Sequence, residues 1–120
     1  MDVIVHQLLK YHLLIKLYHW QTKTYAKHIA SDSLYDKTSK NIDLIVESIQ
    51  GEHSTRVKFA KDAVLHLDNM TDKSIVVVLN EFKLWMETEF GKIAQSKYLL
   101  NIRDEIVTDI NQTLYLFSLA

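Results

Sequence analysis

Four residues have the types and spacing to hold a metal ion: His28, Asp32, Asp43 and Glu47. They form two pairs, H-x-x-x-D and D-x-x-x-E, and the members of each pair stand one helical turn apart if the segment is a helix. At about 100° per residue all four fall within an arc of about 100°, beside an apolar stripe rather than opposite it. Imidazole nitrogen mixed with carboxylate oxygen is a donor set suited to iron, manganese or zinc. Asp32 and Asp43 are eleven residues apart, or about 16 Å on a straight helix. One ion bonded at roughly 2 Å cannot bridge that span, so a single chain offers two half-sites. If the same helix of a second subunit packs antiparallel, His28 and Asp32 of one chain meet Asp43 and Glu47 of the other, and a two-fold axis makes that meeting twice. The helices must then cross near residues 37 and 38. His19 could add a ligand from a preceding helix. It lies nine residues before His28, on the opposite side of one unbroken helix, so the two cooperate only if the chain bends near Thr22 to Thr24.

Each of these side chains also has a plain structural role open to it. Asp32 could cap a helix, Asp43 and Glu47 could be solvated carboxylates, and His19 and Trp20 could pack at a helix end. Other candidates are weaker. His12 lies seven residues before His19 on the same face, and Asp62 and His66 form another i, i+4 pair. Tyr11, Tyr18, Tyr25 and Tyr35 are expected to cluster around the site, with core or interface packing as their expected role and electron donation to iron as the alternative.

The elements that must position these residues read as helices. The chain has 120 residues, no proline, no cysteine and only two glycines, Gly51 and Gly91. A sandwich or barrel needs more turn residues than that, so one all-α domain spanning residues 1–120 is expected. The lack of cysteine excludes disulfides, thiolate zinc sites and a cysteine nucleophile. A first helix is predicted from Asp2 to about Thr22, with apolar positions from Ile4 to Trp20. A second runs from about Thr24 to Gln50, with Gly51 as its C-terminal cap; a later start, capped at Ser31, Asp32 or Ser33, competes with this. Residues 52–70 read as a connection holding a short helix. A third helix starts at Thr71 or Asp72 and runs to about Phe90, ended or broken at Gly91, despite the strand-favouring Val76-Val77-Val78. Phe82, Trp85 and Phe90 are its expected core. A fourth spans about Tyr98 to Leu119. The long middle connection suggests two helical hairpins joined by a crossover.

Charge and hydropathy narrow the partners. The net charge is −1, from 14 basic and 15 acidic residues, with no lysine-rich tail, so nucleic-acid binding is not expected. No apolar run is long enough to span a membrane, and the first ten residues lack the features of a signal peptide. No membrane partner and a cytoplasmic location are therefore expected. Nucleotide-binding, serine-nucleophile and H-E-x-x-H motifs are absent.

The segment His19-Trp20-Gln21-Thr22-Lys23, then His28-x-x-x-Asp32-x-Leu34-Tyr35, then Asp43-x-x-x-Glu47, resembles the Dps-like branch of the ferritin superfamily. It is most similar to the short ferritin-like proteins of phages and large DNA viruses. The likeness covers about residues 13 to 51 and rests beyond that on helix order. It implies a ferritin-like four-helix bundle with a long crossover between helices two and three. It also implies a di-metal ferroxidase site, an oxidoreductase centre that oxidises Fe(II), shared across an isologous homodimer. His19, His28 and Asp32 would come from one subunit and Asp43 and Glu47 from its neighbour. Iron is the implied metal, with manganese or zinc as alternatives, and a viral chain would work in the host cytoplasm. The loop between His19 and His28 is three residues shorter than the usual Dps loop and lacks its Gly-Pro. No histidine has a glutamate three residues before it, so the E-x-x-H pair of single-chain di-iron bundles is missing. The competing expectation is a helical structural or interaction protein without catalytic activity. Residues 99–106 resemble the viral group without an assigned role.

Overall fold

Alternation of apolar and polar residues at helical spacing produces four long helices, and nothing among the described residues forms a strand. The computed structural model describes residues 1–119. Helix α1 is Asp2–Gln21, α2 is Tyr25–His53, α3 is Asp72–Trp85 and α5 is Lys97–Phe117. A π-helical turn, Met86–Phe90, and the single turn α4, Gly91–Ile93, prolong α3. Ring contact between Tyr18 and Phe117, with centroids 5.5 Å apart, puts the ends of α1 and α5 together. The hydrogen bond from Tyr98 to Glu52 joins the end of α2 to the start of α5. The order is therefore up, down, down, up: two hairpins, α1–α2 and α3–α5, linked by a connection that travels the length of the bundle. Helices α1 and α2, α2 and α5, α5 and α3, and α3 and α1 are the neighbouring pairs. Each pair is antiparallel, which sets opposite helix dipole ends side by side.

The core is one cluster. Leu8, Ile15 and Tyr18 of α1, Leu34 and Ile45 of α2, Leu79 and Phe82 of α3, and Ile106 and Ile110 of α5 are all essentially inaccessible. The π turn admits an extra residue and brings both Met86 and Phe90 into this core. Phe82 and Phe90 are buried as expected, while Trp85 is half-buried. Val76-Val77-Val78 is helical, because Ile75, Leu79 and Phe82 supply a buried stripe that outweighs local strand preference. Thr71 is the cap of α3. Its hydroxyl accepts from the Ser74 backbone N–H, and the Ser74 hydroxyl accepts from the Thr71 backbone N–H.

Three expectations change. Gly51 lies inside α2, and Ser54 takes the left-handed cap conformation, φ 50°. Gly91 sits in helix at φ −65°, and the chain continues to Ile93 before Ala94 turns away. Residues 54–71 contain no helix. Only a turn at Ala60–Ala63 interrupts an extended path, with Asp62 at φ 64° breaking any helical run. The connection is instead tied by side chains. Gln50 accepts from the Val57 backbone, Gln21 accepts from the Met70 backbone, and the His6 ring donates to the Val64 carbonyl. The later start of α2 is also set aside, because Ser31, Asp32 and Ser33 are all within the helix.

The two glycines differ in surroundings. A Cβ at Gly51 would meet nothing within 4 Å, whereas one at Gly91 would lie 3.1 Å from Nη1 of Arg103. Gly51→Ala is expected to raise unfolding free energy by up to about 1 kcal/mol. Gly91→Ala should gain less, because the guanidinium must move. Denaturant unfolding of both variants checks this, and an equal gain would show that Arg103 yields freely.

Candidate metal centre

The three-residue turn Thr22–Thr24 closes α1 against α2, and the bend required for His19 and His28 to cooperate is present. The imidazoles lie face to face, with centroids 3.9 Å apart and planes 17° from parallel. Their main chains are tied reciprocally. Nδ1 of His19 is 2.9 Å from the His28 carbonyl oxygen, and Nδ1 of His28 is 2.7 Å from the His19 carbonyl oxygen. A carbonyl only accepts, so each Nδ1 carries the proton. In the neutral ring Nε2 is then the nitrogen with a free lone pair. A ring whose Nδ1–H is held by a backbone carbonyl has the orientation of a metal-binding histidine. Asp32 stands one turn beyond His28, with Oδ1 3.7 Å from Nε2 of His19 and its side chain 46% exposed. Ser31 is buried and returns its hydroxyl to the His28 carbonyl.

Asp43 and Glu47 are exposed farther down α2 and are not brought to the histidines within this chain. Among the described residues, no three His, Asp or Glu side chains converge as a set able to hold a metal. His12 repeats the hairpin pattern two turns before His19. Its ring stacks on Tyr35 at 4.0 Å and donates from Nε2 to the Tyr35 carbonyl at 3.2 Å. Both pairs are centred on the same point of the turn, between Lys23 and Thr24. Placing the turn and counting outwards would therefore have paired 19 with 28 and 12 with 35. Burial pushes the His12 pKa below its ordinary 6.5, reinforced by Lys16, while the Tyr35 carbonyl and the Asp43 carboxylate oppose the shift. Asp62 and His66 are exposed on the connection.

The expected tyrosine cluster divides. Tyr11 stacks on Phe82 at 4.6 Å and Tyr18 is fully buried, so both serve the core. Tyr35 lies on His12, and Tyr25 is exposed with its ring 6.4 Å from His28. Sequence spacing gave no signal for Asp72, which braces the hairpin from the start of α3. It accepts from Tyr18 at 2.8 Å and from Thr22 at 3.0 Å, and faces Lys27 at 3.6 Å. Burial pushes the Tyr18 hydroxyl up to about 12. The Tyr18 hydrogen bond in turn holds the Asp72 carboxyl below its ordinary range.

A family model described as a family of unknown function (DUF5856) matches residues 19–117, and the chain belongs to that family. No curated protein matches the chain. No solved structure matches it either.

Two measurements check this geometry. Long-range imidazole nitrogen–proton NMR should show neutral His19 and His28 protonated on Nδ1; protonation on Nε2 would contradict the reciprocal tie. The second concerns pH. The folded pKa of His12 is lowered, so as pH falls from about 6.5 the unfolded chain takes up a proton before the folded chain does. Stability should drop through that window. Denaturant midpoints should fall on acidification, and His12→Phe should flatten the fall.

Proposed function

We propose that this chain is a ferritin-like, Dps-like protein that oxidises Fe(II) at a two-metal site shared between two copies. The observation that carries the reading is the reciprocal backbone tie, which leaves Nε2 of each ring free, that of His19 lying 3.7 Å from Asp32. The up-down-down-up order with a full-length crossover fits a ferritin-like bundle. Among the described residues one chain brings together no three such donors, and the exposed Asp43 and Glu47 would be the groups that complete the set from a partner.

An antiparallel partner is the arrangement that would bring the two half-sites of α2 together. With the two-fold axis between Lys37 and Thr38, His28 would face the partner's Glu47. Asp32 then faces the partner's Asp43, a pairing of like charges that a cation would relieve. Thr38 is buried within its own bundle, so the outer surface at the crossing consists of Asp36, Lys37 and Lys40, which are exposed. In this assembly His19 and His28 offer nitrogen donors, while Asp32, Asp43 and Glu47 offset the positive charge. Fe(II) held there would give electrons to peroxide or oxygen. Manganese or zinc would fit the same donors.

A second reading is a helical scaffold or interaction protein without catalysis. The separation of Asp43 and Glu47 from the histidines within one chain favours it. The two readings part on iron uptake. The purified protein is loaded anaerobically with Fe(II), bound metal is counted, and ferric absorbance is followed after peroxide is added. Asp43→Ala with Glu47→Ala should lower iron affinity at least about tenfold and abolish rapid oxidation. Equal uptake by parent and variant would contradict the shared site and leave the scaffold reading.

A further inference from the structure

The net charge of −1 hides a strong segregation. Residues 3–31 contain four lysines and four histidines and no acid, so the remaining chain carries the acidic excess. The fold gathers the end of this segment into one tip of the bundle, where the Thr22–Thr24 turn joins α1 to α2. Trp20 and Tyr25 flank that turn at 67% and 78% exposure, and Ile29 follows at 48%. The end of α5 lies at the same tip, through the contact of Phe117 with Tyr18, and adds the exposed Leu116 and Leu119. Lys23, in the turn, makes no ion pair among the described residues. Lys16 keeps its ammonium over the rings of Trp20 and Tyr35, at 5.5 and 4.5 Å. Asp72, an acid at this end, is already engaged by Tyr18, Thr22 and Lys27. Exposed apolar residues elsewhere have different company. Leu84 and Ile93 belong to a stretch that includes Glu81, Glu87 and Glu89.

We propose that this tip docks on an anionic lipid surface. Tryptophan and tyrosine are the side chains that settle at headgroup depth, with an apolar body and a polar edge. Lysines beside them are drawn to the negative charge of the lipid. The tip has exposed aliphatic residues around its aromatics, which suits insertion into a lipid surface better than gripping a strand. Among the described residues no helix is long and apolar enough to cross a membrane, and the contact proposed is a peripheral one. The proposal does not depend on the metal centre.

The full chain is sedimented with phosphatidylcholine vesicles, with and without about 30% phosphatidylserine, while tryptophan emission is recorded. Binding is expected only to the serine-lipid vesicles, with a blue shift as Trp20 leaves water and weakening as salt rises. Lys23→Gln should weaken binding about fivefold. Trp20→Ala with Tyr25→Ala should weaken it at least about tenfold, with helical circular dichroism unchanged. Leu84→Ala should bind as the parent does. Four results would overturn the proposal: no binding to anionic vesicles at low salt, equal binding by the double variant, preferential binding of a single-stranded oligonucleotide, or loss of self-association rather than of vesicle binding in the double variant.

Discussion

Two backbone carbonyls and two imidazoles hold the α1–α2 turn of this molecule in place. His19 closes α1 by donating to the carbonyl of His28, and His28 donates back to the carbonyl of His19. A loop of only three residues leaves little slack, so the helices begin antiparallel and in a fixed register. That register recurs two turns away, where His12 donates to Tyr35. The tie satisfies partly buried donors that would otherwise lack a partner, and each neutral hydrogen bond of this kind contributes about 1 kcal/mol. Its larger consequence is chemical: it selects the nitrogen that each ring leaves free.

The rest of the bundle protects that register. Asp72 ties α3 to the hairpin through Tyr18, Thr22 and Lys27, so the second hairpin cannot slide along the first without breaking those contacts. Gln21 holds the incoming chain twice, accepting from Met70 and donating to Asn69. The connection itself has no helix, yet it is held at both ends and at His6. Polar side chains at the tip thus position the metal candidates, while the apolar core fixes only the overall order of helices.

Helix number, order and approximate ends were legible in the sequence because apolar spacing and sparse glycine leave few alternatives. Leu34, Ile42, Ile45 and Ile49 form the buried stripe of α2 that spacing predicts. Gly51 and Gly91 misled as stop signals. A glycine near a helix end is a cap only when the backbone turns left-handed there, and Ser54 does so instead. The connection misled for a different reason: Val57 and Leu65 are half-buried beside tethers to Gln50 of α2 and His6 of α1, which require no helix. Within the candidate site, His28 and Asp32 were readable as a pair from their spacing alone. The stacking of His19 on His28 depended on how tightly residues 22–24 turn, and the bracing by Asp72 joins residues 54 apart in sequence, beyond the reach of any local pattern.

The most direct test of the account is anomalous diffraction from a crystal of the protein soaked in Fe(II), recorded on either side of the iron absorption edge. The account predicts iron peaks bounded by Nε2 of His19 and His28 and by Asp32 of one chain, with Asp43 and Glu47 of an antiparallel neighbour closing the site. Iron elsewhere, or α2 helices lying apart or parallel with no iron between them, would contradict it.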